Sequence, residues 1–462
     1  MSIVPIRRHF GERHIAEYRR AASLLPVVAY DEESKIFVMD DSSVGFGFFC
    51  QPLIYGDEKI QDRVNSFLNQ ELPTNTLIQI CLFRSPDISQ QMYEMQMLRN
   101  NFRHPVMSKI INEREAFFRR HTFNDLTTRS SQGFFNLGVV QDLKLCITIK
   151  TPINGQVPTE KEMEDTKALA LRLESSMQTV GLRPRPFDAQ QYLHFMSTLI
   201  NLSGEAPWRR DGVVWDETVP IREQVFDYDT DLELAKHNSL RLGDMYAKVL
   251  SAKRLPDAMY FGDAIKYVGD LSGGDSRLSG NYMVVTNIYI PDPEKTKSQL
   301  DRRRQFAVNQ AYGPMVRFVP VLGDKKASFD LLYDSMKEGF KPIQISYSLV
   351  VFANTLDGVN KAAQRARGLW SEPRFEMLED KFIQLPIFLN SLPFGADPKA
   401  VKDLYRYKSM TTEQAAVILP IFGEWKGTGT QHASLISRNG QIMSFSLHDS
   451  TTNKNAVVAA ES

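Results

Sequence analysis

Apolar residues in this chain come in short runs and never fill an uninterrupted stretch of about 18 positions, the length a helix needs to cross a bilayer. Several runs alternate apolar with polar side chains, as in Leu143–Lys150 (LKLCITIK), the period of a half-buried strand. Between them lie stretches of helical spacing; residues 57–70 place Ile60, Val64 and Leu68 on one face. This strand–helix–strand rhythm predicts a mixed α/β fold. With 462 residues to arrange, about three units of ordinary domain size fit.

The first unit is expected over residues 1–200. It opens on a charged helical segment at 1–22, followed by strands at Pro26–Tyr30, Lys35–Asp40 and Val44–Leu53, with Asp31–Ser34 as a turn. Thr76–Phe83 reads as a strand, Ser89–Arg120 as one long helix and Phe134–Lys150 as a strand region. Met95, Met97 and Leu98 in that helix read as a core face rather than a binding stripe. Thr159–Val180 is a helix whose acidic first turn, Lys161–Glu164, suits the helix dipole. Residues 201–235, rich in Pro, Asp and Trp, read as a connecting segment.

A second mixed α/β unit is expected over 236–385. Strands at 239–252, 281–290, 314–321 and 342–353 alternate there with helices at 259–268, 292–313, 324–339 and 356–371. Phe375–Leu392 reads as helical apart from Pro386. The remainder, 386–462, holds a short helix at Thr412–Leu419 behind the cap candidate Thr411. It also holds a hairpin, 433–438 and 441–447, around Arg438-Asn439-Gly440, and a last apolar strand at Asn455–Ala459. No internal repeat is visible.

Composition removes several functions. Lys+Arg and Asp+Glu both number 55, so no global field favours nucleic acid or an anionic membrane. The three cysteines, Cys50, Cys81 and Cys146, sit in apolar runs and read as reduced core residues. The N-terminus has no apolar core of a signal peptide, and the expected location is cytoplasmic. No histidine spacing suggests a metal, and no G-x-S-x-G elbow suggests a hydrolase. Ser272-Gly273-Gly274-Asp275 lacks the Lys-Ser/Thr of a phosphate loop and reads as a surface turn, and Arg302-Arg303-Arg304 reads as a solvated helix face. Trp425, inside Gly423–Gly427 (GEWKG), reads as a turn anchor.

The end of the chain is the informative part. A phosphate-binding loop follows a buried strand, turns sharply so that its amides face the phosphates, and hands over to a helix. Asn455–Ala459 is such a strand, and Ala460, Glu461 and Ser462 fill the first three places of such a loop, whose first residue is sometimes Ala. Alone this means little. The preceding stretch, however, carries Ser391-Leu392-Pro393-Phe394-Gly395, Met410-Thr411-Thr412, Leu419-Pro420, GEWKG, Arg438-Asn439-Gly440-Gln441 and Asn453-Lys454-Asn455. The N-terminal part carries Leu24-Leu25-Pro26, Tyr30-Asp31, Gly45-Phe46-Gly47-Phe48, Gln51-Pro52-Leu53 and Leu72-Pro73-Thr74-Asn75-Thr76. In order and spacing these pieces resemble the pilus-assembly ATPases of type IV secretion systems, specifically the TraC group of F-type conjugation.

The resemblance implies that residues 386–462 begin a RecA-like P-loop ATPase domain and that the complete protein uses ATP and Mg²⁺ as a homo-hexamer. It also implies peripheral attachment to the inner membrane through other components of the secretion channel; from the balanced charge, no direct nucleic-acid binding is expected. The P-loop Lys and Ser/Thr are absent from this sequence, so the chain by itself is expected to need no cofactor and to hydrolyse no ATP. Two other expectations compete: a self-contained α/β enzyme or binding protein, and a DNA-handling domain of the transfer apparatus.

Overall fold

The computed structural model describes residues 21–99, 105–130, 133–136, 138–210, 212–227, 230–235, 239–269, 277–311, 321–455 and 457. The expected N-terminal helix up to residue 20, most of the expected strand at 314–321, and the glycine-rich run at 272–275 lie outside them.

In the first half the elements follow as β1 (Val27–Asp31), β2 (Ile36–Met39), β3 (Ser43–Cys50), α1 (Glu58–Leu68), β4 (Leu77–Ser85), α2 (Ser89–Met97) and α3 (Pro105–Arg120). A small hairpin, β5 (Thr127–Ser130) and β6 (Gly133–Asn136), precedes β7 (Asp142–Pro152), α4 (Glu160–Val180), β8 (Arg185–Pro186) and α5 (Ala189–Ile200). The second half runs β9 (Leu232–Ala235), β10 (Ser239–Leu242), β11 (Met245–Arg254), β12 (Tyr282–Tyr289), α6 (Pro293–Ala311), α7 (Val321–Lys337), β13 (Pro342–Ala353), α8 (Leu356–Ser371), β14 (Glu376–Glu379) and α9 (Gln384–Ser391). Then come α10 (Pro398–Asp403), β15 (Lys408–Thr411), α11 (Thr412–Ala416) and the hairpin β16 (Ala433–Ile436) and β17 (Ile442–Phe445).

The mixed α/β class is as the sequence predicts, and every pairing between these strands is antiparallel. Both halves share a single 13-stranded sheet in the order β1-β2-β3-β7-β4-β12-β13-β11-β10-β9, with β8 on β3, β14 on β11 and β15 on β13. The join is the pairing of β4 with β12, from Leu77↔Tyr289 to Arg84↔Tyr282. The order reads alike from either end. Three strands, a fourth, a helix pair, a fifth strand, a helix, a short strand and a helix recur in each half. The sequence carries no visible repeat, yet the topology is duplicated about the β4–β12 seam.

Helices cover both faces. α1, α4 and α8 bury Val64, Leu173 and Trp370 on one side; α5 and α9 bury Tyr192 and Phe388 on the other. The expected face of α1 holds, with Ile60, Val64 and Leu68 all buried. Thr159 caps α4 in a capping box with Glu162, an arrangement that contributes about 1 kcal/mol. All three cysteines are buried and free, and burial pushes the Cys146 thiol well up, so they are inert core residues.

Five local expectations need correction. The long helix at Ser89–Arg120 is two helices: α2 stops at Met97, and Pro105 opens α3, where its missing N–H is not needed. Met95 is buried as predicted, but Met97 and Leu98 are 50% and 38% exposed where α2 ends. Residues 376–379 form β14 rather than helix: Met377 is buried, as is the preceding Phe375, while Glu376 and Leu378 face out, a period of two. The run at 259–268 supplies only a 3₁₀ turn, Asp263–Val268, stopped by Gly269 at φ 100°. The 201–235 segment is also more than a tether, since Trp208, Ile221 and Val225 join the core and the Trp208 indole donates to the Asn201 carbonyl at 2.7 Å.

Candidate functional site: a charged cleft at the end of the sheet

At the end of β3 the chain leaves a cleft of about 540 Å³ between the loop after β4, the start of β7, β8, α5 and Lys426. Its floor is Asp87, only 4% exposed. One carboxylate oxygen of Asp87 accepts from the Ser89 amide at 3.0 Å. The other meets the Lys144 ammonium and Nε2 of His194, the latter at 2.9 Å. β7 supplies Lys144 and α5 supplies His194, so the trio ties one sheet strand to one covering helix. Burial by itself would raise the Asp87 carboxyl; Lys144 and His194 more than offset it and hold it well below its ordinary value.

That depression has a sign. A carboxyl held lower in the folded state stabilises above its unfolded value of 3.8 and loses the contribution as pH falls further. Asp87→Asn is expected to flatten the acid limb of the stability curve between about pH 5 and pH 3. Parallel melting curves for the two proteins across that range would remove Asp87 from this role.

The cleft adjoins a seam where the C-terminal segment is fastened to the sheet. The Leu53 amide donates to the Ile421 carbonyl at 2.8 Å and the Gly423 amide returns to the Leu53 carbonyl at 2.8 Å. The Gln141 amide donates to the Gly440 carbonyl and the Ile442 amide to the Gln141 carbonyl, both at 2.9 Å. Gln441 reaches Asp142 at 3.0 Å, and Lys426 meets the same carboxylate at 2.9 Å. Glu424 lies 4.0 Å from the buried Arg84 and accepts from Asn439 at 3.1 Å. GEWKG and Arg438–Gln441, separate in sequence, thus close on the same strand ends.

Ser391–Gly395 is seated in the sheet itself. Gln79, 2% exposed, donates to the Asn390 and Leu392 carbonyls and accepts from the Ala396 amide. Lys150 bridges Asp41 at 2.8 Å and the Phe394 carbonyl at 3.2 Å. Phe394 sits in an aromatic cluster with Phe37 at 5.1 Å and Tyr192 at 5.6 Å. The boundary expected at 386 therefore falls inside a region that packs continuously with the sheet.

The three loop residues expected to begin a phosphate cradle, Ala460, Glu461 and Ser462, lie outside the described residues. Asn453–Asn455 belong to no strand, and Val457 is 95% exposed. The hairpin is present, with Ile436 opposite Ile442 and Gly440 at φ 88° closing its turn. Arg304 pairs with Asp330 at 2.9 Å and packs over the Tyr333 ring, a contact between α6 and α7. His432 and His448 meet edge to face at 5.7 Å. Among the described residues no group of three His, Cys, Asp or Glu could hold a metal. Trp425 is 44% exposed.

The Asp87–Lys144–His194 trio was not legible in the sequence. Asp87 and His194 stand 107 positions apart, and scattered histidines carry no spacing signal.

Fold and site define a mixed α/β protein with a duplicated sheet, a charged cleft at one strand end and a C-terminal hairpin strapped beside it. Residues 21–396 match the family model described as TraC protein, and the chain belongs to that family. It is a TraC-group protein of F-type conjugative type IV secretion. No curated protein matches the chain. No helix among the described residues is long and apolar enough to cross a membrane.

Proposed function

We propose that this chain is the docking and assembly region of the ATPase that powers pilus assembly and substrate transfer in conjugation. Its terminal segment, on this reading, leads into a P-loop motor that acts as a hexamer at the cytoplasmic face of the inner membrane. The observation that carries the proposal is the seam. The pieces resembling the approach to a phosphate loop, from Ser391 to Gln441, are fastened to the sheet through Lys150, Asp142 and Gln141. A motor attached after Ser462 would then have its approach, up to Gln441, anchored on the sheet.

ATP and Mg²⁺ would be held by residues this chain lacks, because neutralising the β- and γ-phosphates needs the P-loop Lys and its Ser/Thr. The pure 462-residue chain is expected to show no Mg²⁺-dependent ATP turnover above a buffer blank. A longer chain that adds a P-loop and motor after Ser462 is expected to hydrolyse ATP. Turnover by the shorter chain, or an inert longer one, would overturn the proposal.

A further inference from the structure

We propose that the cleft above Asp87 is a docking groove for an extended acidic segment of a partner protein. The duplicated topology supplies the first argument. In the second half, Ser251 of β11 lies opposite Ser348 of β13 and Leu378 of β14. The chain segment after α10 is laid over that place. The Arg406 guanidinium donates to the Ser251 hydroxyl and to Asp380, each at 2.9 Å through Nε, and β15 adds to β13 from Ile345↔Lys408 to Pro342↔Thr411. In the first half, Phe49 of β3 lies opposite Cys146 of β7 and Arg185 of β8, the same topological position. There the backbone of Gly440–Ile442 reaches the strand only at Gln141, and the cleft lies open beside it over Cys50, Lys144 and Leu145. The fold seats an extended segment at both strand ends, over four residues in the second half and through a single bridge at Gln141 in the first, and the cleft is the room left beside that bridge.

Charge gives the second argument and fixes the occupant. In the filled half a buried acid, Asp380, receives a basic side chain from the added segment. The open half has the opposite balance. Its two carboxylates are already matched, Asp87 by Lys144 and Asp142 by Lys426. The surplus falls on Arg183 and Arg185. Arg183 meets only the neutral Gln51 amide, at 3.2 Å, and Arg185 has no ion pair among the described residues. Both are exposed at the rim. Their guanidinium forks match carboxylates in a bidentate geometry, and their charge repels lysine-rich segments. Phe49, Leu145 and Phe195 offer an apolar wall for the alternate side chains of a strand.

This inference does not depend on the ATPase reading, since every residue it uses lies within the folded chain. The test is fluorescence anisotropy with a labelled Glu/Val alternating peptide of about eight residues, long enough to span the groove, beside a Lys/Val peptide and inorganic pyrophosphate. Saturable, salt-sensitive binding of the acidic peptide is expected, weakened about tenfold in Arg183→Gln/Arg185→Gln. Those exposed substitutions should leave the circular dichroism melt unchanged. No binding, equal binding by the double variant, or tighter binding of pyrophosphate that displaces the peptide would overturn the proposal; the last would mark a small-anion site.

Discussion

Arg406→Ala is expected to cost about 3–5 kcal/mol of folding stability, because it strands a charge that water cannot reach. Asp380 has a side chain with 0% exposure, and Arg406 reaches it at 2.6 Å through Nη2. The same guanidinium donates to Ser251 and to the Leu404 carbonyl, so one side chain ties β11, the loop before α9 and the segment before β15. Burial raises the Asp380 carboxyl even with Arg406 in place. Without the arginine the folded state will favour the protonated acid more strongly still. A carboxyl raised by folding is least costly where it is protonated, so the deficit should shrink as pH falls toward about 5. Urea denaturation at neutral and mildly acid pH measures both effects. Asp380→Leu/Arg406→Met should recover most of the loss, since a buried pair replaced by apolar residues is often neutral. A single-variant loss below about 1 kcal/mol would mean the pair is solvated.

Gly427→Ala should release the C-terminal hairpin while the sheet stays folded. Gly427 sits at φ 98°, and a Cβ there would lie 1.9 Å from the Ser444 carbonyl oxygen. Neither partner can yield cheaply, because the Ser444 amide donates to the Lys426 carbonyl at 2.9 Å and its carbonyl accepts from the Thr428 amide at 2.7 Å. Left-handed backbone costs a residue with a Cβ about 1–2 kcal/mol, and the clash adds a similar amount. Together, about 3 kcal/mol corresponds to roughly a hundredfold rise in local opening. Hydrogen exchange at the Ser444 and Thr428 amides reads this directly, and limited proteolysis across residues 428–450 should accelerate in parallel. Gly138→Ala is the control: φ is 72° there but nothing lies within 4 Å of the added atom. Equal exchange in both variants would show that the contact with Ser444 is not what holds the hairpin.

Much of the local structure was legible because it depends on neighbours in the chain. The apolar face of α1, the acidic start of α4, the cap at Thr411 and the turn at Gly440 are all written within a few residues of where they act. The burial of the cysteines followed from the apolar runs around them. Errors came where neighbours mislead. Met97 matches the helical period but stands at a helix end, and Phe375–Glu379 has the period of a strand inside an otherwise helical run.

The sequence by itself determined the mixed α/β class and the family, since periodicity and the order of short motifs survive without knowledge of contacts. Only the tertiary structure decided that β4 pairs with β12, that one topology is used twice, and that Asp87 meets Lys144 and His194. A period of two says that one face of a strand is buried; it does not say against which strand, because every edge offers the same amides and carbonyls. The choice of partner rests on the packing of side chains brought together from distant parts of the chain, and the cleft exists only once that choice is made.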